Sequence, residues 1–159
     1  MTEPLTSADL QQFIAANQID ATILPMAAHT STVGDAAREL GVETDQIIKS
    51  LVFLGDGRPL LVVNNGLARV DRKKLAAILG VGRKKVKFAS AEQALTITGF
   101  VVGSMPPFGH RQPLRTLVDP AVATWATVYG GGGNVDAMMR LTSRELLRAT
   151  QAEVQALSE

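Results

Sequence analysis

Cysteine is absent from this 159-residue chain, and aromatic residues and histidines are few. Without cysteine the chain can form no disulfide, thiolate nucleophile, iron–sulfur centre or cysteine-ligated zinc site. Its two histidines, His29 and His110, are too few and too far apart in sequence for a histidine-rich metal site. We therefore expect a protein that uses no metal ion and no cofactor.

The sequence also lacks a leader-like start and a long uninterrupted apolar run. The N-terminus leads straight into an amphipathic pattern, without a basic segment followed by an apolar one. The longest stretch without a charged residue, 93–110, contains glycines and prolines that would interrupt a membrane-spanning helix. We expect a soluble, cytoplasmic protein with no membrane partner.

The composition that remains is that of a folded domain. Apolar residues make up 46% of the chain and charged residues 19%, which excludes a disordered chain. The length suits a single domain over residues 1–159. The periodicities predict about seven short strands mixed with helices, without strict strand–helix–strand alternation. We therefore predict a mixed α/β (α+β) fold.

Local signals place several of these elements. Residues 33–40 are predicted as a helix between Thr32 and Gly41, and residues 47–54 and 60–64 as the two strands of a hairpin. Asp71 and Ser90 are predicted N-caps of two further helices. Further predictions are a strand over 100–103 and a last helix that starts at Thr142 and includes Val154.

Basic residues are concentrated in one window. Between Arg69 and Lys87 there are eight bases and one acid, whereas the rest of the chain is net negative. The window is either a solvated helix face or a contact surface for phosphate groups. The residues we select as candidates for phosphate contact are Arg72, Lys73, Lys74, Arg83, Lys84 and Lys85.

Lys49 is an isolated cation within an apolar strand pattern. On a period of two it shares a strand face with Ile47, Leu51 and Phe53. Either that face is exposed at this end of the strand, or a buried lysine requires an anion or a ligand there.

Two glycine-containing segments complete the set of candidates. Residues 103–110 form a stiff loop that either lines a pocket or simply connects two elements, and His110 at its end is either a general base or a surface residue. The glycine run 130–134 is either a bulged hairpin tip or backbone that approaches another group closely. The chain contains no phosphate-binding loop, G-x-S-x-G or H-E-x-x-H motif, so a conventional hydrolase is not supported.

Five ordered stretches together resemble a known family. They are TVGDAARELGV at 32–42, IIKSLVF at 47–53, VDRKKL at 70–75, TGF at 98–100 and GSMPPFG at 103–109. With these stretches the chain resembles the YbaK/EbsC family of aminoacyl-tRNA deacylases, which is related to the editing insertion domain of bacterial prolyl-tRNA synthetase. The resemblance implies a compact domain with a curved, barrel-like mixed sheet and surrounding helices.

The resemblance also implies site residues. Lys49 takes the place of the family's functional lysine, and 103–107 takes the place of its G-x-x-x-P loop. The implied substrate-binding residues are Gly103, Ser104, Met105, Pro106 and Pro107, to which we add His110, Gly132 and Asn134. In the last segment glycines stand where relatives often carry a histidine. The basic candidates become candidates for tRNA binding.

The implied function is hydrolysis of the ester that joins a wrongly attached small amino acid to tRNA, in trans. The partner is then the acceptor end of an aminoacyl-tRNA, with an aminoacyl-tRNA synthetase as a further candidate. Two alternatives stay open: a non-catalytic module that binds tRNA or a small ligand, and a Schiff-base enzyme that uses Lys49.

Overall fold

The computed structural model of the chain describes residues 3–27 and 32–159, so His29 lies outside the described residues. Helices and strands alternate irregularly along these residues. The helices within them are α1 (Ser7–Ala16), α2 (Val33–Leu40), α3 (Arg72–Leu79), α4 (Ala91–Thr98), α5 (Pro120–Ala123) and α6 (Ser143–Thr150). The strands within them are β1 (Ala21–Pro25), β2 (Ile48–Gly55), β3 (Arg58–Asn65), β4 (Val86–Phe88), β5 (Arg115–Val118), β6 (Thr127–Gly131), β7 (Ala137–Thr142) and β8 (Glu153–Val154).

The strands of the described residues form two sheets. The larger sheet has the order β4-β2-β3-β5-β8, and the smaller has the order β1-β7-β6. β2 pairs with β3 and β4 in antiparallel fashion, whereas β3–β5 and β5–β8 are parallel. An isolated parallel bridge between Ile47 and Tyr129 connects the two sheets. The predicted mixed α/β fold is confirmed, with two adjoining sheets in place of a closed barrel.

The predicted β2–β3 hairpin is confirmed. Asp56 and Gly57 form its turn with φ values of 50° and 80°. Two consecutive positive φ values are the requirement of the tight turn that matches the right-handed twist of paired strands. The turn sets the register that pairs Lys49 with Asn64, so it determines which side chains adjoin the lysine.

The predicted helix caps are also confirmed. The Thr32 side chain accepts a hydrogen bond from the Asp35 N–H at 3.0 Å. Asp71 accepts hydrogen bonds from the N–H groups of Lys73 and Lys74, at 2.9 and 3.2 Å. This carboxylate lies at the positive end of α3, where it offsets the unfavourable placing of three cations in the first turn.

Two predicted elements are wrong. Residues 100–103 form no strand, because Gly99 ends α4 in the left-handed region and the Thr98 hydroxyl holds the Phe100 N–H at 3.0 Å. The side chain of Phe100 is fully buried at this corner. The last helix ends at Thr150, and Val154 lies on β8 instead. A short strand pairs with β5 here, and it is too short to be recognised from periodicity.

The core lies on both sides of the larger sheet. One cluster packs α1, α4 and α6 around β2, β3 and the smaller sheet, with Leu10, Leu61 and Leu146 fully buried. A second cluster packs α3 against the other face through Leu75, Val62 and Leu117. The two clusters pack against both faces of β2, the strand that carries Lys49.

No helix of the described residues combines the length and apolar character needed to cross a membrane.

Candidate functional site

Lys49 is half-buried near the start of β2. Its Nζ donates a hydrogen bond to the Ala68 carbonyl at 2.5 Å. Asn64, directly opposite on β3, donates to the same carbonyl through Nδ2 at 3.2 Å. The loop that follows β3 thus returns to the lysine and holds its ammonium group in place.

The charge of Lys49 has no carboxylate partner among residues 3–27 and 32–159. Burial lowers the pKa of its ammonium group, because removal from water disfavours the charged form. Beside it, Asn64 Oδ1 and Ser50 Oγ are buried and have no hydrogen-bond partner within the described part of the chain. The lysine is therefore a positioned cation that a substrate anion can approach.

A cavity of about 220 Å³ opens beside Lys49. It runs along residues 47–52 of the chain. β4 leaves this part of β2 uncovered, because β4 pairs only with Phe53–Gly55. The walls of the cavity come from the start of α2, the end of β4, α4 and the loop after it, the end of β6 and the start of β7. They consist mainly of apolar side chains and glycine backbone, among them Val33, Ala36, Ile48, Ala94, Val102, Gly103, Met105, Gly131 and Met138.

Residues 103–109 of the predicted loop 103–110 form one wall of this cavity. Gly103 has a φ of +96°, a conformation that favours glycine, and both Gly103 and Met105 line the cavity. Ser104 is fully buried between them, and its hydroxyl donates a hydrogen bond to the Val101 carbonyl at 2.9 Å. Of the five residues predicted in the loop, Gly103 and Met105 therefore reach the cavity, while Ser104, Pro106 and Pro107 build the loop behind it.

The glycine run allows close approach of two backbone segments. A Cβ atom on Gly131 would lie 2.1 Å from the Met105 carbonyl oxygen. The Gly133 N–H donates to the Ser104 carbonyl at 3.0 Å. The run therefore seats the loop 103–109 against the end of β6, and Gly131 itself lines the cavity.

Gly132 and Asn134, predicted to bind substrate, contact the first helix. The Ser7 hydroxyl donates to the Gly132 carbonyl at 2.6 Å, and Asn134 Oδ1 accepts from the Ser7 N–H at 3.0 Å. Neither residue is among those that line the cavity. Their role in substrate binding stays a prediction. In the structure, both residues attach the glycine run to α1.

His110 lies behind the loop. Its Nε2 is 2.8 Å from the Pro106 carbonyl oxygen, and its ring meets Phe100 edge-on. Burial lowers the pKa of the imidazole, partly offset by the hydrogen bond to Pro106. His110 does not line the cavity, so its substrate contact also stays a prediction.

A second, open depression adjoins Lys49 on the other side. It is a basic groove, defined here by the cations Lys49, Arg69, Arg72, Lys73 and Arg83. Three of the six predicted basic candidates therefore lie along it. Of the others, Lys74 donates to the Ser158 carbonyl at 2.7 Å, Lys85 pairs with Asp56 at 3.8 Å, and Lys84 lies outside the groove.

The cavity and the basic groove share three lining residues: Lys49, Leu51 and Phe88. Lys49 thus lies at the junction of an apolar cavity and a cationic surface. Sequence reasoning did not select Phe88, Asn64 or the Ala68 carbonyl. Of these, Phe88 had a signal in the sequence, because Val86-Lys87-Phe88 has the apolar–polar–apolar alternation of a short strand.

No group of three metal-ligating side chains is found within residues 3–27 and 32–159. The donors that line the cavity include the Lys49 ammonium group, the Ser50 hydroxyl and backbone N–H groups. Such donors stabilise negative charge, as in an oxyanion or a phosphate. The arrangement suits binding of a molecule with a small apolar end and an anionic end.

Comparison with known proteins gives relatives along almost the whole chain. A solved structure described as a proposed trans-editing enzyme for prolyl-tRNA synthetase superposes with a TM-score of 0.90 at 32% identity, covering 96% of each chain. The uncharacterized protein YwhH of Bacillus subtilis is 32% identical over 74% of this chain and 73% of its own length. A proline–tRNA ligase of Bacillus licheniformis is 29% identical over 80% of this chain, which corresponds to 22% of the ligase.

A family model extends this similarity to the residues that build the site. The model of the aminoacyl-tRNA editing domain matches residues 27–149, from before α2 to near the end of α6. That span includes Lys49, the loop 103–109, Gly131 and the cations of the groove. The chain therefore belongs to the aminoacyl-tRNA editing domain family.

Proposed function

We propose that the chain is an aminoacyl-tRNA deacylase, which hydrolyses the ester between a wrongly attached small amino acid and tRNA. The observation that carries the proposal is the junction of the apolar cavity and the basic groove at Lys49. An aminoacyl-tRNA has its ester at the corresponding place, between an amino-acid side chain and a polyanionic RNA.

The cavity suits the amino-acid end of this substrate. Its volume of about 220 Å³ and its apolar walls favour a small, uncharged side chain. A purely apolar ligand would leave Lys49, the cation at the mouth of the cavity, without an anionic partner. The phosphate or the developing charge of the ester supplies that anion.

The chemistry requires little of the protein, because an aminoacyl ester is already activated. A positioned water attacks the carbonyl carbon, and negative charge develops on the carbonyl oxygen. The bond between the carbonyl carbon and the ribose oxygen then breaks, and the ribose oxygen takes up a proton. Lys49 stabilises that charge or anchors the terminal nucleotide. The N–H groups of Gly103 and Met105, which have no acceptor within the described residues, are suitable donors to the substrate.

No nucleophile or general base of the protein is invoked. The adenosine hydroxyl next to the ester helps to activate the attacking water. The proton that this water loses therefore passes to the substrate and to bulk solvent. Within the described residues, no histidine lines the cavity. The protein's contribution is thus position and charge.

The partner we propose is the acceptor end of a tRNA, in the cytoplasm where charged tRNA is used. Editing in trans, in support of prolyl-tRNA synthetase, is favoured by the structural neighbour described above and by the match to proline–tRNA ligases. The ligases share only about a fifth of their length with this chain, so the proposal concerns the editing step alone.

The test is release of amino acid from a panel of correctly and wrongly charged tRNAs. We expect rapid release of at least one small amino acid, and loss of that release in Lys49→Ala. Binding of charged tRNA without any release would favour a non-catalytic module and contradict the proposal. Trapping of a carbonyl substrate on Lys49 by borohydride would point to Schiff-base chemistry instead.

A further inference from the structure

Phe88 is an aromatic side chain that stands exposed at the proposed site. Its side chain is 54% exposed, and it lines both the apolar cavity and the basic groove. Among the described residues, the other exposed large apolar side chains are aliphatic. An exposed ring at a pocket mouth is typical of a surface that binds something flat and apolar.

The ring of Phe88 packs against the ring of Phe53 on the neighbouring strand. Phe88 on β4 is paired directly with Phe53 on β2, and the two ring centroids are 5.2 Å apart at an angle of 37°. Phe53 is only 4% exposed. A buried aromatic partner thus supports one part of Phe88 and leaves another part open to solvent.

The charged residues around Phe88 are mainly cations, since five basic side chains line the groove together with the acidic Asp71 and Glu159. Arg69, Arg72, Lys73 and Arg83 lie along the same groove, so the ring is placed where a nucleic-acid backbone would pass. Proteins that bind single-stranded nucleic acids combine a positive groove with aromatic rings on which bases stack. The groove has both components.

We propose that Phe88 is the stacking platform for a nucleobase of the unpaired 3′ end of tRNA. The proposal rests on the function proposed above and assigns a positioning residue to it. Phe53, the partner of Phe88, lies four residues from Lys49 on β2, a separation of about 13 Å along the strand. That separation leaves room for nucleotide units between the ester at Lys49 and the stacked base.

Stacking and charge make different contributions to binding, and the difference can be measured. A stacked base contributes through its π-face, whatever its identity, whereas phosphate contacts give the dependence on salt. Loss of Phe88 should therefore weaken binding equally at all salt concentrations. Loss of a groove cation should change the salt dependence itself.

The experiment measures the Kd of the full chain for an uncharged acceptor-stem RNA hairpin that ends in unpaired CCA. Phe88→Leu keeps an apolar side chain without a π-face and should raise Kd by about fivefold or more, with an unchanged salt slope. Phe88→Tyr should bind like the original chain. Val154→Ala, at the opposite edge of the sheet and 46% exposed, is the matched control and should have no effect.

A blunt hairpin without the unpaired nucleotides should bind equally to the original chain and to Phe88→Leu. Unchanged CCA binding in a folded Phe88→Leu, or equal weakening on the blunt hairpin, would overturn the proposal. Because the readout is binding, it is separable from the deacylase proposal. A chain that releases no amino acid but loses CCA binding in Phe88→Leu would refute the activity and keep the platform.

Discussion

Gly131 and Met105 approach so closely that no side chain fits between them: a Cβ atom on Gly131 would lie 2.1 Å from the Met105 carbonyl oxygen. Both residues line the apolar cavity. The approach fixes the position of the loop 103–109 relative to the end of β6. Any atom added at Gly131 must therefore displace a wall of the cavity.

Gly131→Ala is expected to reduce deacylation by about tenfold or more while the chain stays folded, because the substitution moves the Met105 wall. The measurement is single-turnover release of amino acid, with thermal unfolding followed in parallel. Gly82→Ala is the matched control, since a Cβ atom there would meet no atom within 4 Å. Equal activity of Gly131→Ala and Gly82→Ala would show that the loop position does not matter for catalysis.

Lys49→Ala is expected to lower the single-turnover rate by at least about tenfold, which corresponds to about 1.4 kcal/mol of transition-state stabilisation. The fold should persist, because the substitution removes a partly desolvated charge that has no carboxylate partner within the described residues. The matched control is Lys87→Ala, an exposed lysine on β4 that lines neither the cavity nor the groove.

If Lys49→Ala folds and keeps the original rate, the lysine has no role in catalysis. Lys49→Arg separates the two roles that the lysine can have. If charge near a phosphate is all that is required, arginine should retain most of the activity. If the position of Nζ matters, arginine should fail, since its planar guanidinium is larger and differently shaped than an ammonium group.

Elements with local signals could be predicted from sequence, and elements that depend on distant partners could not. Helix α2 matched its predicted bounds because Thr32 caps it and Gly41 ends it, both through contacts within a few residues. β8 escaped prediction because two residues become a strand only when β5 offers them an edge. Residues 100–103 have strand-like composition, yet the buried Phe100 and the left-handed Gly99 turn the chain instead.

The same distinction applies to the site. Lys49 stood out as a lone cation in an apolar strand, and the loop 103–109 stood out by its glycines and prolines. The closeness of Gly131 to Met105 could not be foreseen, because it depends on the approach of β6 to a loop about 25 residues earlier in the chain. Likewise, only the packed structure separates the cations of the groove from Lys74, whose ammonium group is held by the Ser158 carbonyl.

The groove predicts which bases hold tRNA. The double variant Arg72→Glu/Lys73→Glu should weaken tRNA binding and flatten its salt dependence, by about 0.7 in slope for each phosphate that the variant no longer neutralises. Lys84→Glu/Lys87→Glu changes the net charge equally at exposed positions that line neither depression, so its salt slope should stay close to the original. The measurement is Kd over a series of salt concentrations.

The same pair of variants tests where the chemistry lies. Arg72→Glu/Lys73→Glu should hydrolyse a minimal aminoacyl-adenosine about as fast as the original chain, because the cavity and Lys49 are intact. Equal losses in the two double variants would mean that only overall charge attracts tRNA. A loss on the minimal ester as well would place the two cations in the catalytic step or reveal a folding defect, which thermal unfolding distinguishes.

Asp119 joins the C-terminal segment to the body of the molecule. Its Oδ2 accepts hydrogen bonds from the N–H groups of Leu157 and Ser158, at 2.9 and 3.0 Å, and its Oδ1 accepts one from Ala121 at 2.9 Å. Burial alone would raise the pKa of this carboxyl group, but these hydrogen bonds outweigh it and lower the pKa below its ordinary value. Leu157 is fully buried in the cluster beneath α3, so the contact anchors the end of the chain there.

A carboxylate with a lowered pKa stabilises the fold above the pKa of the unfolded state, about 3.9, and this stability is lost as the pH falls through the folded-state value. Asp119→Asn should therefore reduce the free energy of unfolding at neutral pH, by about 1–3 kcal/mol, because an amide NH₂ would face N–H donors. Below about pH 4 the difference between the two chains should shrink. Denaturant titrations between pH 3 and 7 measure this, with Asp136→Asn, an exposed aspartate whose side chain makes no hydrogen bond within the described residues, as the control. A difference that stays constant over this range would show that Asp119 acts through shape and not through its charge.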